Sequence, residues 1–463
     1  MAKPSFISRT FASEFQLAAL PRSIAAGVLM FLLEVIIVIS FTAFIFSGPL
    51  TASLPYGIGF LIAGDAVLCA VVALLSSYAG SVAVEQDVPS AVLAVAIASL
   101  LAALPSAATP AQQFSTVIMM IVSASLLTGV FFTLLGVLKL GKLVRFLPYP
   151  VMGGFLAGTG YLLTTGGIGV MLGTSANSQM LMPDQWLRWA PGLALGALML
   201  YAVERYKNPL IIPGTFAFGL LAFYAVAWLM HTTPAQLSLG GWLLGPFPSG
   251  SLWQFPLNFA MQGQVNWPAL LSQWPSLATI AVVSVVALLL NASGLELIIK
   301  RDIDLNRELI TAGVANLAGG LAGGTVGYHA ISLSGLSHSV SGGKRLSGLL
   351  VAVLMGVLAV AGPSLFGYVP RMVLAGLLVF LGLGLLVEWV YRAWFHFPRI
   401  DFLILLTILI VIALRGFLEG VGVGLVLAII LFVVSYSRIP LSRFAVSGKT
   451  YRSRVQRSMP EQD

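Results

Sequence analysis

Long apolar runs fill most of this chain, broken at short intervals by polar or Pro/Gly-rich joints. The runs cover about residues 22–46, 54–78, 88–104, 114–137, 146–171, 187–205 and 209–230. A second set covers 274–297, 306–326, 332–342, 346–363, 368–389, 399–416 and 418–437. About 20 apolar residues in a helix cross a hydrocarbon layer ~30 Å thick, and most of the runs reach that length. Lipid offers the backbone no hydrogen-bond partner, so such runs are predicted to be helices. The expected fold is an all-α polytopic membrane protein of fourteen segments in two sets of seven. Residues 231–272, between the sets, are rich in Pro, Gly, Gln and Trp and hold no Lys, Arg, Asp or Glu. They are predicted to lie along the membrane interface with Trp242, Trp253, Trp267 and nearby Trp274 as anchors. The chain thus divides into a polar lead (1–21), a first repeat (22–230), the interfacial stretch (231–272), a second repeat (273–438) and a tail (439–463).

Two runs break the pattern. Residues 81–100 read SVAVEQDVPSAVLAVAIASL. Val82 and Val84 alternate with small or polar neighbours, as in a short strand; Glu85, Gln86 and Asp87 follow, and Pro89 opens the apolar run. Pro suits a first helical turn, because the N–H it lacks has no partner there. A helix from Val88–Pro89 to Leu104 spans about 16 residues, roughly 24 Å, too short to cross. Its start is then predicted inside the membrane, with bare N–H groups and a partial positive charge. The second short run, in GTVGYHAISLSGLSH (324–338), has the same small-residue lead before a short helix. Two half-helices in segments three and ten make a site at the bilayer midplane. Asp87, Val88, Pro89 and Ser90 line it from one side, and Ile331, Ser332, Leu333 and Ser334 from the other. Facing dipole ends favour an anion, and the hydroxyls of Ser332 and Ser334 are candidate donors.

Composition agrees with lipid: 58% of residues are hydrophobic and 9% charged, against ~25% charged in a soluble protein. The formal net charge of +8 reads as topology rather than nucleic-acid binding. With the N-terminus inside, Lys139, Lys142, Arg145, Arg205, Lys207, Lys300, Arg301, Lys344, Arg345, Arg392, Arg399 and the basic tail from Arg438 all fall inside. Arg188, Arg371 and Arg415 fall outside. The positive-inside rule then places both termini in the cytoplasm, with the chain expected in a bacterial plasma membrane. The halves also echo each other: Pro148 precedes Gly154 by six positions, and Pro370 precedes Gly376 by six. Seven segments per half make the second copy inverted.

Few residues carry chemistry. Glu34 lies mid-run, where a carboxylate costs ~2.5–3.5 kcal/mol, so it either faces a polar cavity as a coupling group or bonds a neighbouring helix. Asp87 serves as a helix N-cap or as a ligand. Glu85 is read as a coupling group or as solvated in a cavity. Asn291 is deep in its segment and can coordinate an ion or a substrate oxygen. Glu296 is expected to pair with Lys300 at i,i+4, Asp65 to make a structural contact, and Cys69, the one cysteine, to pack in the core. His329 and His338 flank the second half-helix without a third ligand at helical spacing, so no metal is expected. There is no phosphate loop, nucleophile triad or zinc pattern, so neither an enzyme nor a cofactor is expected.

The stretches KLGKLVRFLPYPVMGGFLAG (139–158), DLNRELITAGVANLAGGLAGG (304–324), SLSGLSHSVSGGKR (332–345) and Tyr451-Arg452-Ser453 resemble the SulP (sulfate permease) family of anion transporters. The resemblance implies a seven-plus-seven inverted repeat, split into core and gate domains, and a site between segments three and ten lined by helices one and eight. It further implies a small anion substrate (sulfate, bicarbonate, chloride or a dicarboxylate), a proton or sodium co-ion, a homodimer and an elevator motion. Many members continue into a STAS domain, and this chain stops where that domain would begin. Asn291 stands where sodium- or proton-coupled members often carry an acid, which shifts attention to Glu34. Some members have a basic residue near Ser334. EQDVP and NASGLEL look more like a branch that includes fungal vacuolar relatives linked to basic amino acids. An amino-acid transporter, or an uncoupled channel-like protein, therefore stays open beside the anion transporter.

Overall fold

The computed structural model describes residues 20–141, 148–173, 182–248, 253–362 and 364–437. The polar lead before Leu20, Lys142, Arg145 and the tail from Arg438 lie outside the described residues.

The fold is mostly helical. The first half holds α1 (Leu20–Ile45), α2 (Leu54–Leu75), a strand β1 (Ala83–Glu85), α3 (Asp87–Ala103), α4 (Pro110–Val137), α5 (Tyr149–Leu172), α6 (Pro183–Tyr206) and α7 (Ile211–Leu229). The second holds α8 (Trp274–Ile299), α9 (Leu305–Leu321), a strand β2 (Gly327–His329), α10 (Ile331–Ser341), α11 (Arg345–Ala361), α12 (Arg371–Leu386), α13 (Arg399–Arg415) and α14 (Phe417–Ser437). A helix stands at each apolar run read from the sequence. Among the described residues, eight helices are long and apolar enough to cross a membrane, and α3 and α11 are among the shorter apolar ones. The described residues of 231–272 form short helical turns between loops, with Trp253, Trp267 and Trp274 exposed.

Local signals explain the helix ends. Thr109 and Gln112 form a reciprocal capping box at the start of α4, and Asp304 accepts two backbone N–H bonds at the start of α9. These caps satisfy orphan donors that lipid cannot. The C-terminal carbonyls of α2 are met by Arg345, whose guanidinium donates to Ala73, Leu74 and Ser76, and by Arg307 on Leu75. A cation there also suits the negative end of the helix dipole. Glu296 does not pair with Lys300. Lys300 takes a left-handed conformation that ends α8 (φ 53°), and Glu296 instead accepts the Ile303 N–H at 2.8 Å.

The helices sort into two packed groups. In one, α9 packs on α4 and α2, α11 on α2 and α1, and α8 on α4 and α3. In the other, α12 packs on α5 and α6, α13 on α5 and α14, and α6 on α7. Small residues permit the closest crossings. At Gly64 of α2 a Cβ would stand 2.1 Å from the backbone of Gly324, so any side chain there would push α2 from the loop that leads into β2. Cys69 is fully buried in the core, as its apolar setting predicts.

Candidate functional site

The two half-helices are joined by a two-stranded antiparallel ribbon in the middle of the first helix group. Ala83 pairs with His329, Val84 with Tyr328 and Glu85 with Gly327. Two further bonds extend it, from Gln86 N to Val326 O at 3.3 Å and from Ala330 N to Val82 O at 2.9 Å. Each strand runs directly into its half-helix, so the helix starts lie at opposite ends of one ribbon. The ribbon is buried throughout, and its strand edges bond to each other where water is excluded.

Side-chain amides lock it. Gln86 donates to the carbonyls of Val84 at 3.1 Å and Tyr328 at 3.0 Å. Asn291, from α8, donates to Gln86 Oε1 and to the His329 carbonyl, both at 3.3 Å. From α9, Asn316 donates to Gly327 O at 2.6 Å and accepts from Gly327 N at 2.9 Å. Asn291 is therefore a clamp across both leads. Gln86 and Asn316 escaped the sequence reading because their partners are distant in the chain; a polar amide beside each small-residue lead was the only signal.

The expected lining residues divide. At the α3 end the N-cap is Gln86, not Asp87 as the capping reading had it. Asp87 stands one position later and accepts its neighbour's N–H, Val88 N, at 2.8 Å. Pro89, Val88 and Ser90 are buried, and Ser90 Oγ donates to Glu85 Oε1 at 3.0 Å. Glu85 is not solvated in a cavity: it is 2% exposed. At the α10 end Ala330 is the N-cap and has no side-chain acceptor to offer. The N–H groups of Ile331, Ser332 and Leu333 meet no acceptor among the described residues. Ser332 is exposed and Ile331 half-buried, whereas Leu333 and Ser334 are buried. Ser334 does not offer its hydroxyl to the site, because Oγ already accepts Val82 N at 3.0 Å.

A run of carboxyl groups lies behind the α3 end. Glu34 of α1 is fully buried, and no donor among the described residues reaches either oxygen. Its charged neighbour is Asp65 of α2, and the two carboxyls share no hydrogen bond among the described residues. Asp65 Oδ1 accepts Glu85 N at 3.0 Å, so Asp65 is a direct support of β1. Asp65 Oδ2 and Glu85 Oε2 are left without partners among the described residues. A buried carboxylate without a counter-charge is costly by several kcal/mol, which makes proton uptake the natural chemistry of this group. At the other end of the ribbon His338 Nδ1 lies 2.9 Å from Tyr78 OH, and His329 Nδ1 lies 3.7 Å from Glu308 Oε2.

Known proteins share this architecture. The profile of the sulfate permease family matches residues 20–408. Over 357 residues the chain is 26% identical to the vacuolar basic amino acid transporter VSB1 of Saccharomyces cerevisiae, covering 75% of this chain and 34% of that protein. It is 28% identical over 351 residues to the bicarbonate transporter BicA of Picosynechococcus, covering 72% of this chain and 58% of the relative. The chain thus spans only about a third to three-fifths of the length of these relatives. Among solved structures, the transmembrane domain of a cyanobacterial BicA superposes with a TM-score of 0.65 at 19% identity, over 89% of this chain and 99% of that one. SLC26A9 superposes with 0.68 at 16% identity, over 96% and 72%.

Proposed function

The chain belongs to the sulfate permease family of polytopic membrane transporters, and on that premise we propose that it carries a small anion across the membrane by secondary transport. The substrate sits at the α10 start, beside Ser332 and the free N–H groups of residues 331–333, with Asp87 facing it from the α3 end. The observation that carries this is the buried ribbon with one exposed, uncapped helix start. Free N–H groups and a helix dipole are an anion site.

The site lies within a seven-plus-seven inverted repeat of fourteen segments. Helix pairing supports this. Replace each helix by its seventh neighbour and α9–α4 becomes α2–α11, α12–α6 becomes α5–α13, α11–α1 becomes α4–α8, and α10–α1 becomes α3–α8; every one of these pairs packs. The ribbon obeys the same exchange: Glu85 answers to His329, Gln86 to Ala330 and Ser90 to Ser334, each 244 positions on. Helices α5 and α12 both start on a Pro N-cap, with ψ of 131° and 134°. The first helix group then acts as core and the second as gate, and an elevator-like shift of core against gate gives alternating access. Between the groups, α1 packs on α5 and α12 and α3 packs on α5. The equivalent approaches of α8 and α10 are slight, which leaves that side of the seam open to Ser332. Both termini lie in the cytoplasm, and the working unit is a homodimer.

Glu34 couples the cycle to a proton from its place beside Asp65. A second reading, transport of basic or zwitterionic amino acids in the same fold, draws on those same carboxyls and on the likeness to VSB1. Counterflow in proteoliposomes with sulfate, bicarbonate, fumarate and arginine separates the two. Exchange of an anion alone supports the first reading, and exchange of arginine alone replaces it with the second. Current without accumulation of any of them would favour a channel.

A further inference from the structure

The ribbon has two faces with different neighbours. Side chains alternate along a strand, and directly opposed residues share a face. Val84 and Tyr328 share one face, and Tyr328 packs there against Phe132 of α4, with ring centroids 6.3 Å apart. Ala83, Glu85, Gly327 and His329 share the other, which lies on α2, where Leu68 abuts Gly327. That second face is as deeply buried as the first, yet it carries the ribbon's carboxyl and its imidazole.

His329 is 1% exposed, and its Nε2 has no partner among the described residues. Packing alone does not call for an imidazole here, because a buried ring nitrogen without a partner is a cost. Its other nitrogen faces Glu308 of α9 at 3.7 Å. Glu308 in turn accepts Ser77 N and Ser77 Oγ, both at 2.7 Å, and Ser76 Oγ at 3.0 Å. Ser77 is half-buried, in the turn that follows α2, so this corner reaches the edge of the molecule. On the ribbon, Glu85 lies diagonally across from His329 on the same face, a residue spacing of ~7–8 Å that long side chains reach across. Beyond it come the partnerless Glu85 Oε2 and Asp65 Oδ2, and then Glu34. The nearby cations are engaged elsewhere: Arg345 on the carbonyls of Ala73, Leu74 and Ser76, and Arg307 on that of Leu75.

We propose that His329 is a proton-relay residue, linking the Glu308–Ser77 corner to the Glu85–Asp65–Glu34 carboxyls behind the site. A proton arrives at Nδ1 from the Glu308 side, and the ring releases the proton on Nε2 towards Glu85, so the imidazole ends as the other neutral tautomer. The proton stays bound at the far end on one carboxyl of the Glu34–Asp65 pair, and no other bond is made or broken. The relay rests on the proton-coupled form of the function above.

Proteoliposomes holding the full chain and a trapped pH dye test it. An inward gradient of sulfate, fumarate or arginine is applied in turn, and lumenal pH is read beside solute counterflow. In His329→Gln the proton signal is expected to fall by about tenfold or more, the scale of a lost proton-transfer group. Counterflow, which needs no net proton, stays within about twofold. An unchanged proton signal would overturn the relay and leave the transport reading standing. Counterflow lost in step with the proton signal, in both His329→Gln and His329→Asn, would also overturn it by reducing the histidine to packing. A wild type that exchanges solute without moving protons removes coupling and relay together.

Discussion

Ser334 Oγ accepts the backbone N–H of Val82 at 3.0 Å and donates back to the Val82 carbonyl at 3.4 Å. One hydroxyl on the second half-helix thus holds the lead of the first, 252 residues away. Removing the hydroxyl leaves a buried N–H unpaired, at a cost of about 1–3 kcal/mol. Ser334→Ala is expected to lower the melting temperature in detergent while leaving the substrate Kd of the folded fraction near wild type. Ser332→Ala should do the opposite, because Ser332 is exposed at the helix start and its hydroxyl holds no described partner. A thermal melt paired with a binding isotherm for each variant separates the two serines.

The tightest approach in the core predicts a contrast between glycines. A Cβ at Gly64 would lie 2.1 Å from the backbone of Gly324, whereas one at Gly356 would meet nothing within 4 Å. Backbone cannot swing aside as a side chain can, so Gly64→Ala must separate α2 from the loop before β2. Overpacking of this kind costs about 1–3 kcal/mol. Gly356→Ala should be neutral or slightly stabilising, since Ala is the better helix former. Size-exclusion yield and melting temperature check both.

Arg345 reaches three carbonyls at the C-terminal end of α2 with one planar guanidinium. Lysine offers a single point charge on a flexible stem and cannot reproduce the fork. Arg345→Lys is expected to recover less than half of the stability lost in Arg345→Gln. The checking measurement is the melting temperature of the three proteins at one ionic strength. Full rescue by lysine would mean that charge at the helix end matters and geometry does not.

The sequence exposed the architecture and hid the wiring. Helices were legible because lipid demands long uncharged runs, and the start of α3 was legible because Pro89 suits a first turn. Strand β1 showed itself in the alternation of Val82 and Val84. What pairs with what was not legible. Asp65 supports β1, Glu308 holds the Ser76–Ser77 turn, and Gln86 spans both strands. None of the three had a local signal in the sequence to name its partner. Glu296 shows the converse: an i,i+4 partner was in place, but the left-handed turn at Lys300 ended the helix before the pair could form.

The clamp residue yields the sharpest test of co-ion use. Asn291 Nδ2 donates to two oxygens, Gln86 Oε1 and the His329 carbonyl. In Asn291→Asp the donor becomes an acceptor, and three oxygens then converge with no hydrogen among them. Gln86 cannot turn its amide over to help, because its Nε2 already holds the carbonyls of Val84 and Tyr328. Such a cluster either springs apart or takes up a cation, and hard oxygen ligands favour ions such as sodium over softer metals. The variant is expected to lose most uptake in sodium-free buffer and to regain at least about fivefold on adding sodium, a coupling of ~1 kcal/mol. Wild-type uptake should not respond to sodium, since its amide already supplies the positive edge. Uptake by Asn291→Asp that is equal with and without sodium would mean that the side chain does not hold the two leads together, and the clamp would have to be sought in Gln86 alone.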